Sequence, residues 1–122
     1  MNIDIDHPEK YRYPHAVIYG FKKIGDVENN FFYIGSSVNP YGRFKKHKSD
    51  SNNKNSELYD YIRIVGWLGV EKYIIEKYPC NDKNKQLTER EQFFINIIIK
   101  IIYNFFYFFP IIHMIFFFIF FW

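Results

Sequence analysis

Glu91 is the residue that packing explains least well. Read as a helix, its segment carries an apolar stripe of Leu87, Phe94, Ile95 and Ile98, and Glu91 falls inside it. A carboxylate in that position needs a partner, because stripping water from an unpaired charge is costly. The bland alternative is a glutamate at the margin of the stripe that reaches water past its neighbours. Its neighbour Glu89 is turned by roughly 200° around the helix, towards solvent. Arg43 and His47 stand at i and i+4, which puts them on one helical face. A guanidinium offers a planar fork of donors suited to phosphate oxygens, and imidazole gives or takes a proton near neutral pH. Lys45, Lys46 and Lys48 complete the densest basic run in the chain. Such a run is either a surface for a polyanion or an ordinary solvated helix face. Tyr19 and Tyr33 are either sheet-face aromatics or phenols within a site. Each member has a structural explanation, and only the set points to chemistry at a phosphate.

Elements far apart in the chain have to hold these groups together. Ala16–Phe21 alternates, with Val17, Tyr19 and Phe21 on one face and Ile18 on the other. Phe31–Gly35 alternates as well, with Phe31 and Tyr33 on one face and Phe32 and Ile34 on the other. Gly25, Asp26, Asn29 and Asn30 lie between the two stretches, so a hairpin is expected. If its loop centres near Asp26, Tyr19 and Tyr33 fall opposite each other on one face. A first helix begins at Asn39 and Pro40, a cap followed by a residue that has no N–H to leave unpaired. A second helix runs from Ser56 to about Val65, with Leu58, Ile62 and Val65 inward and Gly66 as its stop. Val70–Tyr78 is rich in β-formers and gives a third strand, closed by Pro79. A third helix, the one with Glu91, starts near Asn84. The order strand, strand, helix, helix, strand, helix predicts an α+β arrangement: a small, mainly antiparallel sheet of three strands flanked by helices.

The 122-residue chain is long enough for one domain with a modest core. A net charge of +3 and a pI near 8.9 admit a polyanionic partner without demanding one. The single cysteine, Cys80, excludes an intrachain disulfide and reads as a small packed residue at the end of a strand. Phe, Tyr, Ile, Asn and Lys, all encoded by AT-rich codons, make up more than half the chain. No single Phe or Asn therefore carries weight on its own. Met1–Lys10 is polar and acidic, unlike a signal peptide. After Gln92 the only formal charge is Lys100. This composition shift divides the chain into an N-terminal extension (1–14), a domain (15–104) and an apolar tail (105–122).

Ile18 and Tyr19, then Tyr33, Ile34 and Gly35, then Arg43 ten residues after Tyr33, then His47, and finally Glu91 within Glu89–Ile95 together resemble the GIY-YIG nuclease family. Leu58–Arg63 with Gly66 and Trp67 is similar to that family's middle helix and following turn. Tyr78–Asn81 is similar to a short single-domain branch met in large DNA viruses and mobile elements. Val17 replaces the glycine of the first motif, and the loop between the two tyrosines is longer than in many relatives. The resemblance implies that Tyr19 and Tyr33 are the motif tyrosines, Arg43 the phosphate-facing arginine and His47 an auxiliary polar residue. It makes Glu91 the sole protein ligand of a metal and Asn104 the polar residue after the glutamate helix.

The function implied by this resemblance is that of a metal-dependent endonuclease, which hydrolyses a phosphodiester bond of duplex DNA with Mg²⁺ or Mn²⁺. Lys45, Lys46 and Lys48 would touch nucleic acid. On this view Tyr19 takes a proton from water, with Tyr33 and His47 in support. A phenol of ordinary pKa ~10 is a poor base at neutral pH, so either that pKa falls or the metal does most of the activation. One site cuts one strand per encounter, so nicking is expected. No added DNA-reading module is seen, which implies low sequence specificity. An intracellular location fits such a substrate. As a helix, the 18 residues Phe105–Trp122 would span ~27 Å, just short of a hydrocarbon core of about 30 Å. The tail is therefore a membrane anchor, a segment held by a partner, or a degenerate extension of T-rich coding sequence. Two rival readings stand beside the nuclease: a catalytically inactive nucleic-acid-binding remnant, and a small tail-anchored membrane protein.

Overall fold

The computed structural model describes residues 2–26 and 30–108. Val17–Lys23 (β1), Tyr33–Ser37 (β2) and Val70–Lys77 (β3) form an antiparallel sheet in the order β2-β1-β3. Pro40–Asn53 (α1) and Glu57–Val65 (α2) follow β2, and Thr88–Phe108 (α3) follows β3. The fold is α+β, as the order of elements predicts. Helices cover both faces of the sheet. Val17, Tyr19 and Phe21 of β1 pack with Tyr59 and Ile62 of α2, whereas Ile18 packs with Leu87 and Ile98 from the third helical segment. The central strand is therefore buried on both sides from Val17 to Phe21.

The helix ends obey local chemistry. Asn39 accepts a hydrogen bond from the Gly42 amide, with Pro40 in the first helical position. Ser56 accepts one from the Tyr59 amide. Gly66 ends α2 with φ of 82°, a conformation that favours glycine. The third helical segment starts near Asn84, as expected: Asp82 accepts from the amides of Asn84 and Lys85, and a π-helical turn over Lys83–Leu87 leads into α3. Arg90 then grips Glu76 of β3 through two 2.7 Å hydrogen bonds. That fork pins the first turn of α3 to one edge of the sheet.

Two expectations are corrected. Tyr19 lies opposite Gly35, and Tyr33 lies opposite Phe21. The loop midpoint implied by that pairing is residue 27, one later than Asp26, which moves the register by two residues. A two-residue shift preserves the face, so the tyrosines remain diagonal neighbours with ring centroids 6.0 Å apart. The second correction concerns Phe31 and Phe32, whose faces are the reverse of those expected. β2 starts only at Tyr33, so the preceding pair escapes the strand alternation. Phe31 instead fills the space over Gly20, where an added Cβ would sit 2.5 Å from its ring. Phe32 joins Phe21 and Tyr61 on the other face.

Cys80 is fully buried and bridges to Tyr13, which ties the N-terminal segment to the domain. α3 continues without a break through position 104 to Phe108. Most of the expected apolar tail, 109–122, lies outside the described residues, as does the side chain of Asn104. Among the described residues no helix is long and apolar enough to cross a membrane.

Candidate active site

Gly35 is the point around which the two tyrosines close. A Cβ there would meet the Tyr19 hydroxyl at 2.6 Å and the Tyr33 ring at 2.9 Å, so only glycine lets both rings lie against β2. Tyr19 is then walled in by Phe21, Tyr33, Phe44 and His47, with ring centroids 5.1 to 6.0 Å away. No part of it reaches solvent. His47 hangs inward from α1, 1% exposed, with Nε2 at 2.7 Å from the Tyr19 hydroxyl and Nδ1 at 3.1 Å from the Tyr59 hydroxyl. Both ring nitrogens are therefore taken.

Burial governs the titration of this pocket. It drives the Tyr19 phenol well above its ordinary range; the nearby Tyr33 adds to the rise and Arg43 opposes it. Tyr19 is therefore not a lowered-pKa base. Burial also lowers His47 to about 4, helped by the charges of Arg43 and Lys46 and opposed by Asp50. His47 is thus a neutral imidazole at pH 7.

Arg43, partly buried one turn before His47, lies near enough to the Tyr19 hydroxyl for each to shift the other's titration. Glu91 arrives from the opposite layer. α3 crosses the α3-side face of the sheet from its Arg90 anchor on β3, and Glu91 faces Ser36 near the end of β2. Burial raises the Glu91 carboxyl, while the Ser36 hydroxyl and amide and the charge of Arg43 pull it down. Tyr19, Tyr33, Arg43 and His47 thus form one cluster, and Glu91 is joined to it through Arg43 and the β2 edge.

The GIY-YIG catalytic domain matches residues 15–97. The chain belongs to the GIY-YIG family. No curated protein and no solved structure matches it. A GIY-YIG catalytic domain is a nuclease domain, so nucleic acid is the class of substrate that the family implies. GIY-YIG nucleases generally use a divalent cation, and the donor set bears on whether this chain could hold one. Among the described residues no group of three or more His, Cys, Asp or Glu could hold an ion by itself. His47 is spent on its two hydrogen bonds. Glu91 remains, a single hard oxygen donor, partly exposed and short of compensation for its burial. Such a site suits Mg²⁺, which keeps several waters and borrows phosphate oxygens. The residues present fit the group.

The three lysines are all exposed, but they do not share a direction. Helical rotation carries Lys45 about 200° from Arg43, whereas Lys46 falls near the site's face. Four further residues frame the cluster without having been singled out as site residues. Gly35 matters for the atom it lacks, and Ser36 for its place opposite α3. Tyr59 and Asp50 complete the surroundings of His47, Tyr59 donating to Asp50 Oδ2 at 3.4 Å. Gly35 left a trace in the second motif, Tyr59 in the helix Leu58–Arg63, and Asp50 three residues after His47 on the same helix.

The depressed His47 gives the fold a pH dependence of known sign. Below pH ~6.5 the unfolded chain binds a proton at His47 that the folded chain refuses until about 4. Stability is complete above the unfolded value and falls as pH drops through this window. Urea unfolding of the native chain should lose on the order of 2–3 kcal/mol more than His47→Gln between pH 7 and pH 4. Parallel losses in the two proteins would show that His47 charges freely within the fold.

Proposed function

We propose that this GIY-YIG domain is a metal-dependent endonuclease that hydrolyses phosphodiester bonds in duplex DNA, one strand per active site. The observation that carries the reading is the position of Arg43, whose charge acts both on the Tyr19 pocket of one layer and on Glu91 of the other. Among the described residues Arg43 has no salt bridge, so structural ion pairing does not explain that position. A phosphate bound beside Arg43 would touch the whole set.

Glu91 would hold Mg²⁺ or Mn²⁺, which when bound would draw charge from the phosphoryl oxygens and make water a stronger acid. Arg43 orients the scissile phosphate with its planar fork and stabilises the charge that builds on it. The enclosure of Tyr19 moves the proton-accepting role outward to Tyr33, the partly exposed phenol of the pair. Tyr33 accepts a hydrogen bond from the attacking water and donates its own inward to Tyr19, which donates to the neutral His47, so the chain orients the water whose acidity the cation would raise. Lys46 steadies the DNA backbone nearest the site, with Lys45 and Lys48 contributing to attraction at longer range. These contacts reach phosphates rather than bases, so sequence preference is low. Acting on DNA puts the protein inside the cell.

A time course on supercoiled plasmid with Mg²⁺ checks the stoichiometry of cutting. Open circles should accumulate first, and linear plasmid should appear only after a lag. Linear plasmid formed directly from the supercoiled form would mean paired active sites, and no conversion with either ion would remove the proposal.

A further inference from the structure

We infer that Asp50 and Tyr59 are positioning residues that fix the tautomer of His47, leaving Nε2 bare to accept the Tyr19 hydroxyl proton. The consequence for rate rests on the proposed nuclease activity; the tautomer itself does not. One group in this chain of contacts has no freedom in its role. An ionised carboxylate only accepts hydrogen bonds. Asp50 Oδ2 therefore accepts the hydrogen bond of the Tyr59 hydroxyl, 3.4 Å away. That phenol has one proton, so towards His47 Nδ1, at 3.1 Å, it can only accept. Nδ1 must then carry the imidazole hydrogen. A neutral ring has a single N–H, which leaves Nε2 unprotonated, 2.7 Å from the Tyr19 oxygen. Tyr19 in turn donates inward, which leaves the lone pairs of its oxygen without a proton between them and the rest of the cluster.

The direction of this chain matters more than its strength. With Nε2 bare, the Tyr19 oxygen is free to receive a proton from Tyr33, so Tyr33 presents a lone pair to water. In the other tautomer every donor is reversed, Tyr19 points its proton outward, and Tyr33 can only offer its own. The groups that bear on the ring are Tyr19 from β1, Tyr33 from β2, Tyr59 from α2, and Arg43, Lys46 and Asp50 from its own helix. None of the others is an anion, so Asp50 alone sets the sense. Its Oδ2 also lies 3.5 Å from Lys54 Nζ, so that oxygen faces a second donor. Tyr59 is held by its place in the core, 8% exposed, and by the Ser56 cap that starts α2.

Nitrogen-15 NMR of the full chain reads the tautomer directly, since bare and protonated ring nitrogens resonate far apart. The buried His47 is recognisable by its failure to titrate near pH ~6.5. We expect the Nδ1–H form in the native protein, and a mixed or reversed population in both Tyr59→Phe and Asp50→Asn. Tyr59→Phe keeps the ring, and Asp50→Asn keeps the shape. In plasmid nicking each variant should lose about 10–100-fold in kcat with KM little changed and melting temperature near that of the native chain. A native Nε2–H form, or native kcat in both variants, would overturn the assignment. If the native chain does not nick at all, the nuclease reading fails, and the spectrum still decides the tautomer.

Discussion

Glu91→Gln is expected to abolish cleavage while leaving the protein more stable than before. Glutamine keeps the volume and can still accept from Ser36, but it lacks the charge that a hard divalent cation requires. With one protein ligand in the proposed metal site, no second carboxylate could take over. Nicking should therefore fall to background at any practical Mg²⁺ concentration. The stability change has the sign of the titration. Burial raises the Glu91 carboxyl above its ordinary value, so the folded state holds this proton more tightly than the unfolded chain does. The penalty is absent below the unfolded pKa and fully present once pH exceeds the raised folded value. At neutral pH, neutralising the side chain should contribute on the order of 1 kcal/mol of stability, discounted for its partial exposure. That corresponds to a rise of roughly 4–8 °C per kcal/mol in melting temperature for a domain of this size. The rise should be seen without metal and shrink when Mg²⁺ and DNA are added to the native protein, which then gains from binding. Undiminished nicking by Glu91→Gln would remove the metal site.

Arg43→Lys should reduce turnover by about 10²–10³-fold, with DNA binding changed far less. Lysine retains the charge that attracts a polyanion, but it is a point charge without the fork that engages two oxygens at once. The contact most weakened is the one that tightens as charge builds on the phosphoryl group, so kcat should fall and KM should barely move. Native turnover in Arg43→Lys would reduce this arginine to a decoration of the basic helix face.

Local chemistry was the legible part of this chain. Asn39, Ser56 and Gly66 mark helix boundaries because each meets a backbone need close to itself in the chain. Glu91 was visible because a carboxylate inside a periodic apolar stripe breaks a pattern. The hairpin register was not, since nine residues part the two strands, and the pairing is centred one residue later than expected. The enclosure of Tyr19 was also hidden. Its walls come from both β1 and β2 and from α1, and no spacing along the chain reveals a cage assembled from separate elements. Tyr59 stood out only as part of a familiar helix, although it closes the hydrogen-bond chain behind His47. Pairs held within one helix can be read from spacing, whereas partners across layers appear only once the layers are stacked.

Single-turnover cleavage of an end-labelled DNA duplex, with Mg²⁺ and then with excess chelator, decides whether this fold is a metal-dependent nuclease. Labelled fragments are expected with the cation, with complete loss in chelator and full recovery when Mg²⁺ is restored. An intact duplex under every divalent ion, or fragments that form equally well in chelator, would contradict that assignment.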